Sequence, residues 1–156
     1  MTGKISGVCL VVFLVLRAAP AGAQFVCVSA EQANIREGTD PEYPAAWIAY
    51  RHTPLKLLGW TGRWAKVKDF EGDVGWAHES VLSFDPCVIL AGKYANVRAG
   101  PGLENEVLWV VERGYPLKVL NRLDDWLQVT DNDEVEGWIY VNLVWGNTNP
   151  WEPNVS

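Results

Sequence analysis

The sequence predicts an all-β protein in which two copies of one small module follow each other along the chain. The first observation is an internal repeat: residues 33–38 read ANIREG, and residues 95–100 read ANVRAG, 62 positions later. The second is that neither copy shows a helical period. Short runs rich in Val, Ile, Leu and Trp alternate instead with clusters of Gly, Pro and Asp, as in small β-barrels and sandwiches.

The first 23 residues have a different character from the rest of the chain. Lys4 precedes an apolar run at residues 8–16, and small residues follow up to Ala23. This pattern predicts a signal peptide at residues 1–23, cleaved after Ala23. The apolar run is shorter than the roughly 20 residues that a membrane-spanning helix needs, and no later segment approaches that length. We therefore expect an exported protein, periplasmic or secreted, with no membrane span in its mature form.

The mature chain is acidic. Loss of Lys4 and Arg17 with the signal peptide leaves 11 basic residues against 19 acidic ones. Nucleic acid is disfavoured as a partner because neutralising phosphates requires a basic stripe, whereas the loops here carry Asp and Glu. The acidic stretch at residues 131–137 is not a calcium loop, since apolar Val135 occupies the fifth position. It predicts a hairpin turn.

The repeat extends without a gap from residues 33–82 onto residues 95–144. Of these 50 positions 16 are identical, where ordinary composition would give roughly 3. A unit of this length is too long for a solenoid repeat and fits a very small domain. We place the two domains at residues 24–86 and 87–146, followed by a polar tail at residues 147–156.

The first module illustrates the expected strands. They are predicted at residues 47–50, 55–58, 63–68 and 74–77, with a last short element at residues 80–82. Gly38 and its repeat partner Gly100 are expected to supply positive-φ positions in the long loop after the opening strand.

Two cysteines remain after export, Cys27 before the first module and Cys87 after it. In an oxidising compartment this pair predicts a disulfide that closes module one. The alternative is a metal site built from both cysteines with His52 and His78. No pair among the four has ligand spacing such as C-x-x-C, so we expect neither a metal nor another cofactor.

With these elements in place, the residues resemble bacterial SH3-like domains of the version found in exported proteobacterial proteins. The resemblance covers nearly all of the mature chain and implies two tandem small SH3-like β-barrels. It rests on the two ANxR motifs with their glycines, Trp47 and Trp109, the two Leu-Lys-hydrophobic-Leu strands, Trp64-x-x-Val67 and Trp126-x-x-Val129, and Gly75-Trp76 with Gly137-Trp138.

The nine tryptophans fall into groups with different expected roles. Four of them are expected to pack in or beside the cores: Trp47, Trp76, Trp109 and Trp138. Strand alternation separates two others. Trp64 shares a strand face with Lys66 and Lys68, and Trp126 shares one with Gln128 and Thr130, so both indoles are predicted on the polar side.

The resemblance implies that Trp64 and Trp126 floor a ligand groove in each module. Neighbouring residues are candidates to complete the two binding surfaces: Tyr43, Trp60 and His78 in module one, and Glu104, Asn105, Arg122, Asp124, Asp125 and Tyr140 in module two. A surface aromatic beside carboxylates suits a ligand with sugar or alkyl faces and cationic amines. The alternative is that both indoles shield a strand or pack one module against the other.

Two classes of function follow. The first is a non-catalytic exported binding protein that recognises cell-wall peptidoglycan or its stem peptides, as the resemblance implies. The second is a structural or adaptor protein that binds another envelope protein through a strand edge or a groove. An enzyme is disfavoured because the two modules leave no room for a catalytic domain and the mature cysteines are expected to be paired.

Overall fold

The computed structural model describes Gly3 and residues 23–151. Apart from Gly3 and Ala23, the expected signal peptide lies outside the described residues, and so do residues 152–156 of the tail. Across the described ranges no helix is long and apolar enough to cross a membrane. The secondary structure there consists of strands and two short 3₁₀ turns, which confirms the predicted all-β class.

Each module forms one seven-stranded sheet. The strands of module one are β1 (Phe25–Val28), β2 (Gln32–Arg36), β3 (Ala45–Tyr50), β4 (Pro54–Thr61), β5 (Trp64–Lys68), β6 (Val74–His78) and β7 (Leu82–Ser83). Those of module two are β8 (Cys87–Leu90), β9 (Tyr94–Arg98), β10 (Val107–Glu112), β11 (Pro116–Leu123), β12 (Trp126–Thr130), β13 (Glu136–Tyr140) and β14 (Val144–Gly146). The 3₁₀ turns, at Glu79–Val81 and Val141–Leu143, precede β7 and β14.

The two sheets have the same topology. The strand order is β3-β2-β6-β5-β4-β1-β7 in module one and β10-β9-β13-β12-β11-β8-β14 in module two. Every strand therefore has its repeat partner at the same place in the other sheet. The prediction of two tandem copies of one fold is confirmed.

The repeated ANxR motif shows how sequence sets the layers. In β2, Ala33 and Ile35 are buried in the core of module one, whereas Asn34 between them is exposed. This alternation follows from the two-residue period of a strand. Each module has its own apolar core, built from Val, Leu, Ile and Ala side chains of nearly every strand.

The arginine of each motif fixes the long loop that follows. Arg36 Nη1 donates to the carbonyl oxygen of Tyr43 at 2.9 Å, and Arg98 Nη1 donates to that of Asn105, the repeat partner of Tyr43, at the same distance. The two glycines of the motifs do not adopt positive φ, so that expectation is wrong. A Cβ at Gly38 would lie 2.6 Å from the Tyr43 ring, and one at Gly100 would lie 2.7 Å from the Asn105 side chain. Glycine is needed there for space.

The Cys27–Cys87 disulfide is present, with Cα atoms 6.1 Å apart, as predicted. Its placement differs from the expectation that it closes module one. Cys27 lies in β1, but Cys87 opens β8, which belongs to the sheet of module two. The bond therefore joins the first strands of the two modules.

Further contacts hold the modules together at this end. Phe25 of β1 packs edge-on against Trp145 of β14, with ring centroids 4.9 Å apart. A Cβ at Gly146 would lie 2.9 Å from the Cβ of Pro54, so its glycine lets β14 approach module one. The beginning of the tail is also packed, because the Asn147 amide donates to Cys87 and Arg122 donates to Thr148.

Candidate functional site

The predicted strand alternation places both candidate tryptophans outside the cores. In β5, Ala65 and Val67 are fully buried, and Trp64 on the opposite face is half-buried. Leu127 and Val129 of β12 are buried in the same way, and Trp126 is half-buried. Thr130 departs from the expected polar face. It is buried, and its hydroxyl donates to the Val135 carbonyl within the turn to β13.

Each of these indoles packs against an aromatic ring on the neighbouring strand. Trp64 lies opposite His78 in the β5–β6 register, with ring centroids 5.1 Å apart and planes at 74°. Trp126 lies opposite Tyr140 in the β12–β13 register, at 5.5 Å and 59°. Directly opposed cross-strand residues interact most strongly, so the register itself builds the pair. The same ring pair thus occurs in both copies.

In module one the ring pair lines a cavity of about 320 Å³. Its lining combines the Trp64 and His78 rings with polar side chains of β2 and with apolar contacts: Gln32, Ala33, Asn34, Arg36, Pro41, Trp64, His78 and Val81. One wall is therefore aromatic, and the other carries amide and guanidinium groups. Such a surface can stack against an apolar or sugar face while it hydrogen-bonds to a polar chain.

The cavity wall is held in place by local hydrogen bonds. His78 caps the 3₁₀ turn, because its Nδ1 accepts the Ser80 backbone N–H at 3.2 Å. In the neutral ring the proton then resides on Nε2, which leaves Nε2–H as a donor. Beside this pair, Arg63 Nε donates to Glu79 Oε1 at 2.5 Å, and the Glu79 amide donates to the Arg63 carbonyl. These bonds fix the strand ends that carry Trp64 and His78.

The remaining candidate residues do not line the cavity of module one. Tyr43 is exposed in the long loop and joins the site only through its carbonyl bond to Arg36. Trp60 lies in β4, since that strand runs to Thr61, and its exposed ring is not part of the cavity lining. Asp125 is exposed at the β11–β12 turn, where its carbonyl accepts the Val141 amide.

Three polar residues of the site were missed by sequence reasoning, namely Gln32, Asn34 and Arg36. They form the outward face of β2, whose inward face carries Ala33 and Ile35. The signal that could have found them is the strand alternation within the repeated motif itself. It places Asn34 and Arg36 on the side away from the core, where Trp64 also lies.

The four tryptophans assigned to packing differ in exposure. Trp47, Trp76 and Trp138 are half-buried, as expected for ring packing beside a core. Trp109 is 40% exposed, so its assignment is wrong. It lies in β10, an edge strand of its sheet.

The alternative metal site does not form in the oxidised protein. The disulfide uses the sulfur atoms of both Cys27 and Cys87, so neither can act as a thiolate ligand. Among the described residues, no group of three or more His, Cys, Asp or Glu side chains is arranged to hold a metal ion.

Comparison with known proteins identifies one domain family in both modules. The family model for the bacterial SH3 domain matches the chain twice, at residues 29–83 and 91–146. No curated protein sequence matches the chain.

Several solved structures are similar at low identity. NlpC2 from Trichomonas vaginalis has 12% identity over 80% of this chain and 48% of that chain, with a TM-score of 0.37. An NlpC/P60 family protein from Bacillus cereus has 15% identity over 78% of this chain and 55% of that chain, with a TM-score of 0.36. The chain thus spans about half the length of these two proteins. The CBD of endolysin LysPBC5 has 18% identity over 85% of this chain and 99% of that chain, with a TM-score of 0.34.

Proposed function

The chain belongs to the bacterial SH3 domain family, and we propose that it is a non-catalytic exported binding protein whose two modules recognise cell-wall peptidoglycan or its stem peptides. The observation that carries the proposal is the cross-strand ring pair, Trp64 with His78 and Trp126 with Tyr140. The pair recurs in both copies, although the partner of the tryptophan is histidine in module one and tyrosine in module two.

The chemistry of the module-one cavity supports a ligand that is part sugar and part peptide. Indole and imidazole faces suit the apolar faces of sugars or the alkyl parts of a peptide. Gln32 and Asn34 can donate hydrogen bonds to peptide groups and accept them. Arg36 gives one N–H to the Tyr43 carbonyl oxygen, and its other N–H groups can bind a carboxylate. Stem peptides of peptidoglycan carry both kinds of group.

Two observations support export and a role without catalysis. The Cys27–Cys87 disulfide is the kind of bond that persists in an oxidising compartment outside the cytoplasm. It also removes both thiols as nucleophiles, and the family-model matches account for most of residues 29–146.

Co-sedimentation of the purified, disulfide-bonded protein with cell-wall sacculi tests the proposal. We expect the protein to pellet with sacculi, and we expect a Trp64→Ala/Trp126→Ala double variant to remain in the supernatant. Trp151→Ala is the matched control, because Trp151 is the most exposed described tryptophan and contributes to neither ring pair. Near-ultraviolet circular dichroism checks that the double variant is folded. Equal pelleting of the folded double variant and the control would contradict the proposal.

A second function, as an adaptor for another exported protein, is favoured by one specific surface. The edge strand β10 exposes four consecutive apolar side chains, Val107, Leu108, Trp109 and Val110. An exposed apolar edge strand can pair with an extended segment of a partner. Affinity capture from an envelope extract would favour this function if it returned one stoichiometric protein, lost on Val110→Lys, while sacculi bound nothing.

A further inference from the structure

The two modules touch through a reciprocal pair of contacts. At the 62-residue offset, Phe70 and Glu71 in the β5–β6 turn correspond to Asn132 and Asp133 in the β12–β13 turn. The turn of module one contacts Arg113 of module two, and the turn of module two contacts His52 of module one. Since Arg113 is the repeat partner of Arg51, which precedes His52, the same surfaces meet twice, as in an isologous dimer.

One of these two contacts is filled by an arginine side chain. The Arg113 guanidinium lies 4.9 Å from the centroid of the Phe70 ring, and its Nη2 lies 3.7 Å from Glu71 Oε1. Its Nη1 also donates to the Ala91 carbonyl oxygen. A cation thus sits between an aromatic face and a carboxylate, which is a favourable arrangement for a guanidinium.

The other contact leaves a cavity, because the equivalent residues make different contacts there. Arg51 turns back to its own module, where its Nη2 lies 3.7 Å from Glu31 Oε1. Asn132 replaces the Phe70 ring, and its Nδ2 donates to His52 Nε2 at 2.8 Å. A cavity of about 340 Å³ lies between the modules on this side. It is lined by Glu31, Tyr50, Arg51, His52, Tyr115, Pro116, Asp131 and Asp133.

Charge in this inter-module cavity favours a cation. Glu31 and Arg51 are paired with each other, and the Asp131 and Asp133 carboxylates bring two further negative charges. His52 adds no positive charge at neutral pH, because burial and the nearby Lys118 and Arg51 lower its pKa. Lys118 is the nearby cation that acts against a positively charged ligand.

Two tyrosines line the inter-module cavity, and hydrogen bonds hold the turn beside it. Tyr50 is exposed, and the Tyr115 hydroxyl donates to Asp131 Oδ2 at 2.6 Å. Asp131 Oδ1 accepts the backbone N–H groups of Asp133 and Val135 at 2.9 Å, so the turn that carries Asp133 is fixed. Asp69 Oδ1 organises the turn of module one in the same way, accepting the amides of Glu71 and Asp73.

We infer that the inter-module cavity binds the arginine side chain of a peptide or protein partner. Asp133 takes the role that Glu71 has toward Arg113, and Tyr50 or Tyr115 supplies the ring face that Phe70 supplies on the other side. The chain's own Arg113 shows which occupant these surfaces accept. This site is separate from the Trp64 cavity, with which it shares no lining residue.

An NMR titration of the disulfide-bonded protein with N-acetyl-arginine amide tests this inference. The neutral isostere N-acetyl-citrulline amide is titrated in parallel. We expect saturable shifts of the backbone amides of Tyr50, Tyr115 and Asp133 with the arginine compound only. Asp133→Asn should weaken the apparent affinity about threefold to fivefold, as for loss of one partly exposed charge pair.

Glu71→Gln is the matched control, because Glu71 is the repeat partner of Asp133 but is already paired with Arg113. It should leave the titration unchanged, and so should Trp64→Ala, which affects only the peptidoglycan proposal. Equal binding of the citrulline compound would overturn the inference. Shifts centred on Trp64 and His78, or equal effects of Asp133→Asn and Glu71→Gln, would overturn it as well.

Discussion

The arginine that ends each ANxR motif ties a long loop to its sheet. Arg98 Nη1 donates to two loop carbonyls, those of Leu103 at 3.0 Å and Asn105 at 2.9 Å. Arg36 Nη1 donates to one, that of Tyr43. The two copies therefore share the anchor but differ in the number of bonds it makes.

This difference predicts unequal effects of one substitution in the two copies. A charge-assisted hydrogen bond contributes about 1.5 to 3 kcal/mol, and less where it is exposed. We expect Arg98→Ala to lower the free energy of unfolding by about 1 kcal/mol more than Arg36→Ala does. Urea denaturation of both variants measures the difference. An equal or larger loss in Arg36→Ala would show that the second bond of Arg98 contributes nothing.

His52 is a residue whose backbone conformation points to a role. It adopts φ 67°, a left-handed conformation that is unfavourable for a residue with a Cβ, and its repeat partner Gly114 occupies the same region at φ 85°. Because Asn132 Nδ2 can only donate, His52 Nε2 must accept, and this requires the neutral ring. The left-handed conformation of His52 thus occurs together with the hydrogen bond that its ring accepts from Asn132 of module two.

The stability of the protein should depend on the protonation of His52. Burial, then Lys118 and Arg51, lower its pKa below 6.5, while Asp131 and Asp85 act in the opposite direction. Because the folded pKa lies below the unfolded one, the unfolded chain takes up the proton first. The contribution of neutral His52 to the free energy of unfolding is therefore fully present above the unfolded pKa of 6.5. It is lost as the pH falls through the folded pKa.

Thermal melting from about pH 7.5 to about pH 5 measures this dependence. We expect His52→Gln to show a flatter fall in melting temperature than the parent protein over this range. Thr61→Ala is the control, because Thr61 is exposed and carries no titratable group, and it should keep the parental slope. A parental slope in His52→Gln would mean that other groups cause the pH dependence.

Among the elements, β13 and β9 approach each other closely at Gly137. A Cβ at Gly137 would lie 2.6 Å from the Arg98 carbonyl oxygen, which belongs to the backbone and cannot rotate away. At the equivalent Gly75, the nearest atom is a side-chain carbon of Ile35, at 2.7 Å. The glycine of each Gly-Trp dipeptide thus lets β6 approach β2 and β13 approach β9.

Gly137→Ala should therefore disrupt module two. Overpacking a tightly packed site typically lowers the free energy of unfolding by about 1 to 3 kcal/mol, and we expect the upper half of that range. Gly92→Ala is the control, since a Cβ there meets Leu143 at an ordinary 3.8 Å. Chemical denaturation compares the two variants. A Gly137→Ala variant as stable as Gly92→Ala would contradict the close packing of β13.

Most strands were predictable from the sequence, but the first strand of each module was not. The strands at 47–50, 63–68 and 74–77 were predicted within two residues at either end, because alternation and turn residues delimit them. β1 and β8 were not predicted. Phe25–Val28 and Cys87–Leu90 are short apolar runs without alternation, and each lies against two strands that are distant from it in sequence. Local pattern gives no sign of such pairing.

At the scale of the whole molecule, the disulfide and the reciprocal contacts join the modules. The Cys27–Cys87 bond links β1 to β8, and the contacts of Phe70 and His52 lie at the inter-module surface. The repeat predicted two copies, but it carries no information on how they dock. Phe70 and Asn132 are equivalent in sequence, but only the structure showed that Arg113 fills the contact at Phe70 while a cavity lies beside the contact at Asn132.

Loss of the disulfide should weaken the protein. The bond joins residues 60 positions apart, and closing a loop of that length stabilises by roughly 4 kcal/mol in the chain-entropy model. We expect a Cys27→Ser/Cys87→Ser variant to lose about 2 to 4 kcal/mol of the free energy of unfolding. Urea denaturation of the variant and of the reduced parent protein should agree. A variant as stable as the oxidised parent would show that the non-covalent contacts alone hold the modules.

The most direct test of the central claim follows the indole Nε1–H resonances of the oxidised protein during titration with soluble muropeptides. The claim is that Trp64 and Trp126, each paired with an aromatic ring on the next strand, form the ligand surface of the two modules. It predicts saturable shifts of these two resonances, with those of Trp60 and Trp151 unchanged. Muropeptide saturation that leaves both ring-pair indoles unshifted would contradict it.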